Sequence, residues 1–425
     1  MDNESNRKYV KEWIRSWACK EGSLNDTQDI LKWVKTIERN LQVEISECSI
    51  ESSNFWFYDD YNGEIANRKR SFFSIKGIRR FDNNILISEQ PIIFQPEIGY
   101  LGIIGKKING VFNFLMQAKV EPGNINYVQI SPTIQATKSN FTRVHGGRLP
   151  LYFEYFEHAS KYNIIYDQIQ SEQSSRFLKK RNRNIILVVE EDVPVFDNYK
   201  WMTLGQIKEL MKYDNLINMD TRTVIAGLPF SGFALDQDDL TYIESEFRNV
   251  FFYNSIFKTE NISELPQIYK SINDYKMFQN DRIVEIPLYE LLNWNIDEFG
   301  ITCKETADFE VRYYKIFIDG REVKEWKQPL FKALGHAVFG LIITNINDCM
   351  KILVKIKSEI GKFDRMEFAP SIQWESTHKS EHDDWVEAVF RRQLEKKENI
   401  ILDVMLSEEG GRFYHEQNRN VVMFI

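Results

Sequence analysis

An excess of positive charge, long apolar runs and patterned cysteines are all missing from this 425-residue chain. With 54 Lys and Arg against 62 Asp and Glu, the net charge is −8. A broad nucleic-acid-binding face needs the opposite balance, so nucleic acid is not an expected partner. No apolar stretch approaches the roughly 20 residues that span a bilayer. The opening MDNESNRKYV lacks the apolar core of a signal peptide, so neither membrane nor export is expected. The four cysteines (Cys19, Cys48, Cys303, Cys349) show no CxxC or metal-like spacing and read as free thiols in a reducing cytoplasm. The common fingerprints are absent too. There is no GxxxxGK[ST] phosphate loop, no GxGxxG after a strand, no GxSxG elbow and no HExxH. His378 and His382 stand four apart without an acidic partner at metal spacing; they read as a surface pair, and no metal is expected.

What is present is self-similarity. At an offset of 238 residues, Lys119, Glu121, Gly123, Pro132, Ile134 and Gln135 fall on Lys357, Glu359, Gly361, Pro370, Ile372 and Gln373 without a gap. The same offset pairs Trp56 with Trp294, Gln90-Pro91 with Gln328-Pro329, and Gly102 with Gly340. At an offset of 236, SEQSSRFLKKRNRN (Ser171 to Asn184) matches SEEGGRFYHEQNRN (Ser407 to Asn420) at seven of fourteen positions, far beyond chance. A period this long indicates two copies of a whole domain. Length allows each copy its own core. The turn-rich AGLPFSGFALDQDD (Ala226 to Asp239) is the expected boundary, giving a first copy over 1–230 with N-terminal helices and a second over 231–425.

Along the chain, residues 6 to 20 and Asp26 to Leu41 each place their large apolar side chains on one helical face. Trp56 to Tyr58, Phe72 to Ile78 and Ile85 to Ser88 read as strands separated by Asp-, Asn- and Gly-bearing turns. Gln90 to Ile104 reads as a short strand or tight loop. From Phe114 to Glu121 a strand is expected with Gln117, Lys119 and Glu121 on one face, then a turn at Pro122-Gly123-Asn124 and a return strand Tyr127 to Ser131. Pro150 to Tyr162 and Trp385 to Leu394 read as helical or mixed, Ile185 to Val189 as a strand, and VVMFI as a terminal strand. Thr203 and Gln206 form a capping box at a helix start. Many short strands with few helices give an α+β class, one domain used twice.

The chemistry-bearing residues each admit two readings. Lys119 and Glu121 are an acid/base pair on a pocket wall or an ion pair on a solvated sheet. Gln129, Ser131, Thr133, Gln135, Thr137, Ser139, Asn140 and Thr142 supply neutral donors and acceptors suited to a hydroxyl-rich ligand, or line an exposed strand. Arg143 and His145 follow, and a histidine there is either a proton shuttle or structural. Arg176 and Arg183 fork onto phosphate oxygens or form a surface basic run. The positions matching Arg143 and His145 in the second copy are Glu381 and Asp383, which favours the first copy for catalysis.

Read together, QPEIGYLGII, LMQAKVEPGN, VQISPTIQATKSN, TRVHGG, SEQSSRFLKKRNRN, WMTLGQIKELM and NMDTRTVIAGLP resemble the NDP-hexose 2,3-dehydratases of deoxysugar biosynthesis, from about Trp56 to the C-terminus. That resemblance implies a tandem duplication of a Nudix-like mixed-sheet domain, its halves related by a pseudo-twofold axis, and a cytoplasmic homodimer. It implies dTDP-4-keto-6-deoxy-glucose as substrate, no redox cofactor, and a 3-ketoreductase that takes the unstable product onward. No Nudix hydrolase box accompanies the fold, so diphosphate hydrolysis is not implied.

The reaction assigns work to the candidates. Glu121 or His145 moves protons, and Lys119 donates to the developing C4 oxyanion. Gln129, Thr133, Gln135 and Asn140 hold sugar hydroxyls. Arg143, Arg176 and Arg183 take the diphosphate, and Trp56 or Tyr127 stacks on the base. The alternative is a nucleotide-sugar-binding protein without catalysis on the same fold.

Overall fold

The computed structural model describes residues 3–142, 148–230, 236–247, 249–258, 264–319, 321, 323–364 and 366–425. Arg143 and His145 lie outside the described residues. Among the described residues, no helix is long and apolar enough to cross a membrane.

The chain is a mixed α+β assembly in which two large sheets follow one plan. In the first, the strand order is Asn163–Ser171, Arg181–Val188, Gly99–Ile108, Val111–Val120, Tyr199–Thr203. In the second it is Cys349–Leu353, Val338–Ile346, Gln417–Phe424, Ile400–Ser407. Each contains a single parallel pairing, Arg183 opposite Tyr100 in one and Arg419 opposite Val338 in the other. A short strand then docks at the matching glycine, with Gly102 opposite Ile134 and Gly340 opposite Ile372. Side-chain clamps repeat as well. Thr133 Oγ1 accepts the Ile104 amide at 2.9 Å, and Ser371 Oγ accepts that of Ile342 at 2.8 Å.

Two further sheets trade strands between the halves. Val43–Glu47 pairs with Phe309–Ile318, Val43 opposite Ile318. Asp281–Ile286 pairs with Ser74–Asp82, Asp281 opposite Asp82. Each sheet therefore takes one edge strand from the other half of the chain.

The repeated fourteen-residue block crosses in the same way. The Gly123 amide donates to the Gly410 carbonyl at 2.7 Å, and that of Gly361 to Ser174 at 2.8 Å. Within each half the block is anchored by the Ile93 amide donating to the Arg176 carbonyl and the Phe331 amide to that of Arg412, each at 2.9 Å. Beneath these crossings lies a shared core of Trp56, Ile75, Phe177, Trp294, Phe309, Phe331 and Phe413. Burial of each such side chain contributes about 1.5–3 kcal/mol.

The expected hairpin forms, Val111–Val120 against Val128–Ser131 with Lys119 opposite Gln129. Its apolar face packs Phe114, Met116, Ala118 and Ile130 against Trp13 and Ile30 of the two N-terminal helices, Asn3–Ala18 and Thr27–Asn40. Leu115, on the opposite face, joins a separate core with Phe156, Tyr199 and Trp201. The hairpin is therefore covered on both faces, and its polar side chains escape full burial only at Gln117 and Lys119, near the Val120 end. The capping box at Thr203 is present. Gln90 to Ile104 departs from expectation. It holds the ends of two ten-residue strands, Ile85–Phe94 and Gly99–Ile108, because Pro91 sits opposite Gly77 within the sheet rather than at a turn.

Candidate active site

A cavity of about 930 Å³ opens where the strand Val111–Val120 ends. The first half contributes Trp56, Phe72, Gln95, Tyr100, Lys119, Glu121, Gln135, Asn140, Glu172, Lys180 and Asp220 to its wall. The second half contributes Arg321, Trp326, Lys327, Gln328, Glu409 and Arg412. It is a pocket built at the crossing of the two halves.

Lys119 Nζ lies 2.7 Å from Glu121 Oε1, and the Glu121 carboxylate is 4% exposed. Gln135 Nε2 donates to the same oxygen at 3.2 Å, and Asn218 Nδ2 donates to Gln135 Oε1 at 3.2 Å. Burial pushes the Glu121 carboxyl up, but Lys119, Arg321 and Arg412 together hold it below its ordinary range. Glu121 is thus a buried carboxylate kept ionised by its neighbours.

The other acids behave differently. Burial, reinforced for each by a neighbouring carboxylate, pushes Glu172 and Glu409 to about 7. Asp220, in the first turn of the helix Met219–Ala226, is raised well above the ordinary value by burial and by Glu172 and Glu409. Neither of its carboxyl oxygens has a hydrogen-bond partner among the described residues. The pocket thus juxtaposes a carboxyl held below its ordinary range with carboxyls pushed above theirs, the separation that acid/base chemistry requires.

Arg412 arrives from the second half. Its guanidinium covers the rings of Phe72 and Phe73, each at 4.5 Å, and donates to Gln95 Oε1 at 3.2 and 3.3 Å. Its counterpart Arg176 does the same in the other half, 4.2 Å over Phe309 and 3.8 Å from Glu375.

Of the residues singled out from the sequence, Lys119, Glu121, Gln135, Asn140 and Trp56 line the cavity together. Gln129, Thr133, Tyr127, Arg176 and Arg183 do not. Gln129 is fully buried and donates to Ser407 Oγ at 2.8 Å, tying the halves together. Thr133 is the sheet clamp described above. Tyr127 occupies a left-handed turn position with φ 55°. Arg183 is clasped by Asp167 at 2.6 and 2.7 Å, a pair that Arg419 and Asp403 repeat. Between Gln129 and Thr142 the chain is not one strand. It is two short strands and the helix Lys138–Phe141.

Asp220, Glu172, Lys180, Glu409, Arg412 and Arg321 were not identified from the sequence. Five of the six sit in segments already marked there: Asp220 in NMDTRTVIAGLP and the others in the repeated block. What local pattern lacks is the crossing that seats the second block in the first half's pocket. The histidine pair also resolves differently. His378 Nε2 meets Asp383 Oδ1 at 2.7 Å, while His382 stands 3.7 Å from Glu381. With Glu387, His378 and Asp383 form a group with metal-competent spacing. Arg391 already holds both Asp383 oxygens at 2.6 and 2.9 Å, and Lys355 holds Glu387 at 2.9 Å.

Comparison with known proteins agrees on one family. The model for NDP-hexose 2,3-dehydratases matches residues 27–228 and 265–425. Three relatives are each named dTDP-4-dehydro-6-deoxy-alpha-D-glucopyranose 2,3-dehydratase. That of Saccharopolyspora spinosa is 34% identical over 383 residues, covering 88% of this chain and 78% of the relative. That of Streptomyces violaceoruber is 34% identical over 412 residues, with coverages of 94% and 88%. That of Amycolatopsis orientalis is 30% identical over 427 residues, with coverages of 98% and 85%.

Proposed function

This chain belongs to the NDP-hexose 2,3-dehydratase family, and from that premise we propose that it removes water across C2–C3 of dTDP-4-keto-6-deoxy-D-glucose. The product is a 2,6-dideoxy-3,4-diketo sugar nucleotide. The observation that carries this reading is the Lys119–Glu121 contact of 2.7 Å in the cavity wall. A C3 hydrogen beside the C4 ketone is acidic because its removal delocalises charge onto the carbonyl oxygen. Glu121, ionised although buried, accepts that proton. The Lys119 ammonium donates to the C4 oxyanion as it forms, and a donor so placed contributes on the order of 3 kcal/mol. The enolate then collapses, C4=O re-forms, C2=C3 forms and the C2 hydroxyl departs as water. The resulting enol ketonises at C3.

The same cavity suits the rest of the molecule. Gln135 and Asn140 meet sugar hydroxyls. Arg321 and Lys327 take the diphosphate, and Trp326 offers the base a flat partner. The matched registers support a tandem duplication of Nudix-like domains about a pseudo-twofold axis, with its boundary near residue 230. A cytoplasmic homodimer feeding a 3-ketoreductase completes the proposal.

The test is incubation with dTDP-4-keto-6-deoxyglucose in D₂O, with a 3-ketoreductase added to trap the product. Loss of water with deuterium in the trapped 2-deoxysugar is expected. Substrate that binds but returns unchanged would instead identify a nucleotide-sugar-binding protein.

A further inference from the structure

Departure of the C2 hydroxyl needs a proton donor, and Glu121 enters the reaction as the base at C3, paired to Lys119 and Gln135. Asp220 is the buried acid of the cavity wall with both oxygens uncommitted: it is 2% exposed, and neither oxygen has a hydrogen-bond partner among the described residues. Buried carboxyls are ordinarily paired, so an uncommitted one facing a substrate-sized cavity is a group reserved for the ligand. We propose that Asp220 is the general acid that protonates the departing C2 hydroxyl, an assignment that rests on the dehydratase reading above.

The surroundings support this role from several sides. Glu172 and Lys180 come from the repeated block of the first half, Glu409 from that of the second, and Lys119 and Glu121 from the end of the strand. Three of these neighbours are carboxyls, which favours a neutral Asp220 before the reaction. The position in the first turn of Met219–Ala226 serves the state after it, since the positive end of a helix favours the carboxylate that remains. The step balances without a further reactant. The Asp220 O–H bond and the C2–O bond break, water forms, and the enolate electron pair becomes C2=C3. Ketonisation then moves one proton from the C3 hydroxyl and places one on C2, so no net proton is consumed.

The experiment compares two substrates, dTDP-4-keto-6-deoxyglucose and its 2-deoxy-2-fluoro analogue, in wild type and Asp220→Asn. Fluoride leaves with far less need of an acid than hydroxide does. Asp220→Asn is expected to lose water elimination by about 10²–10⁴-fold. It should release fluoride within a few-fold of wild type and still exchange the C3 hydrogen of the natural substrate for deuterium. Equal losses on both substrates, or unchanged water elimination, overturn the assignment. A wild-type enzyme that binds but releases neither leaving group overturns the dehydratase reading itself. If Asp220→Asn does not fold, Asp220→Glu decides. A ratio of water to fluoride release that shifts away from wild type supports the acid, and an unchanged ratio overturns it.

Discussion

The ammonium of Lys119 and the carboxylate of Glu121, two residues apart, meet at 2.7 Å where the strand Val111–Val120 runs out into the cavity. A residue spacing of two puts both side chains on one face of an extended chain, and the end of the strand lets them face a ligand instead of a covering helix.

Replacing Glu121 with Gln keeps the hydrogen bond from Gln135 in reach but removes the base. Turnover should fall by about 10²–10⁴-fold, with C3 exchange in D₂O lost in parallel. His145→Asn made alongside it separates the two bases named from the sequence. If both variants turn over like wild type, neither residue moves the proton.

Arg412 and Arg176 occupy matching places, but only Arg412 lines the cavity. Arg412→Met should lower kcat/KM by about 100-fold or more, consistent with loss of a buried charged contact. Arg176→Met should lower the denaturation midpoint and leave kcat/KM of the surviving folded enzyme near wild type. The reverse pattern would move the chemistry to the other half.

A Cβ on Gly123 would stand 1.6 Å from the Phe413 carbonyl oxygen, and one on Gly361 1.9 Å from that of Phe177. Both obstacles are backbone and neither can swing aside. Gly123→Ala and Gly361→Ala should each cost about 3 kcal/mol or more, measured by urea denaturation. A cost below about 1 kcal/mol would mean that the crossings are loose.

Glu416 is pushed to about 7 by burial, partly offset by Arg176 and reinforced by Glu408 and Glu375, against an ordinary value of 4.5. The folded state therefore holds a proton that the unfolded chain has released across that interval. Its contribution to stability is full below pH 4.5 and is lost as pH rises through about 7. Glu416→Gln should flatten the fall in stability between those values, read from denaturant midpoints at several pH values.

The carboxylates of Asp383 and Glu387 are held by Arg391 and Lys355. Chelator treatment should leave the melting temperature unchanged, and added zinc should not raise it. A rise with zinc would show that the metal displaces both cations.

The pattern of Lys119, Glu121 and Gly123 was readable because period-two alternation and turn chemistry are local, and the repeat marked them twice. Trp13 and Ile30 were readable, each on the apolar face of its own helix, because helical periodicity is local too. Gln129 and Thr133 show where that logic stops. Alternation announces a polar face, but nothing nearby says that Ser407 and the Ile104 amide cover it. Arg412 marks the larger gap. Its partner Gln95 lies 317 residues away, and no window of sequence contains both. The repeat equated Arg412 with Arg176 without saying that each crosses to the other half.

That crossing also bears on how such a chain changes over generations. A duplicated segment is ordinarily released from selection in one copy, which is then free to decay. Here the later half of the chain carries Glu409 and Arg412, which line the cavity beside Lys119 and Glu121, and the edge strand Asp281–Ile286 of the sheet that holds Ser74–Asp82. A frameshift or deletion in the later half would therefore unmake the earlier one, and the two halves are inherited as a single trait.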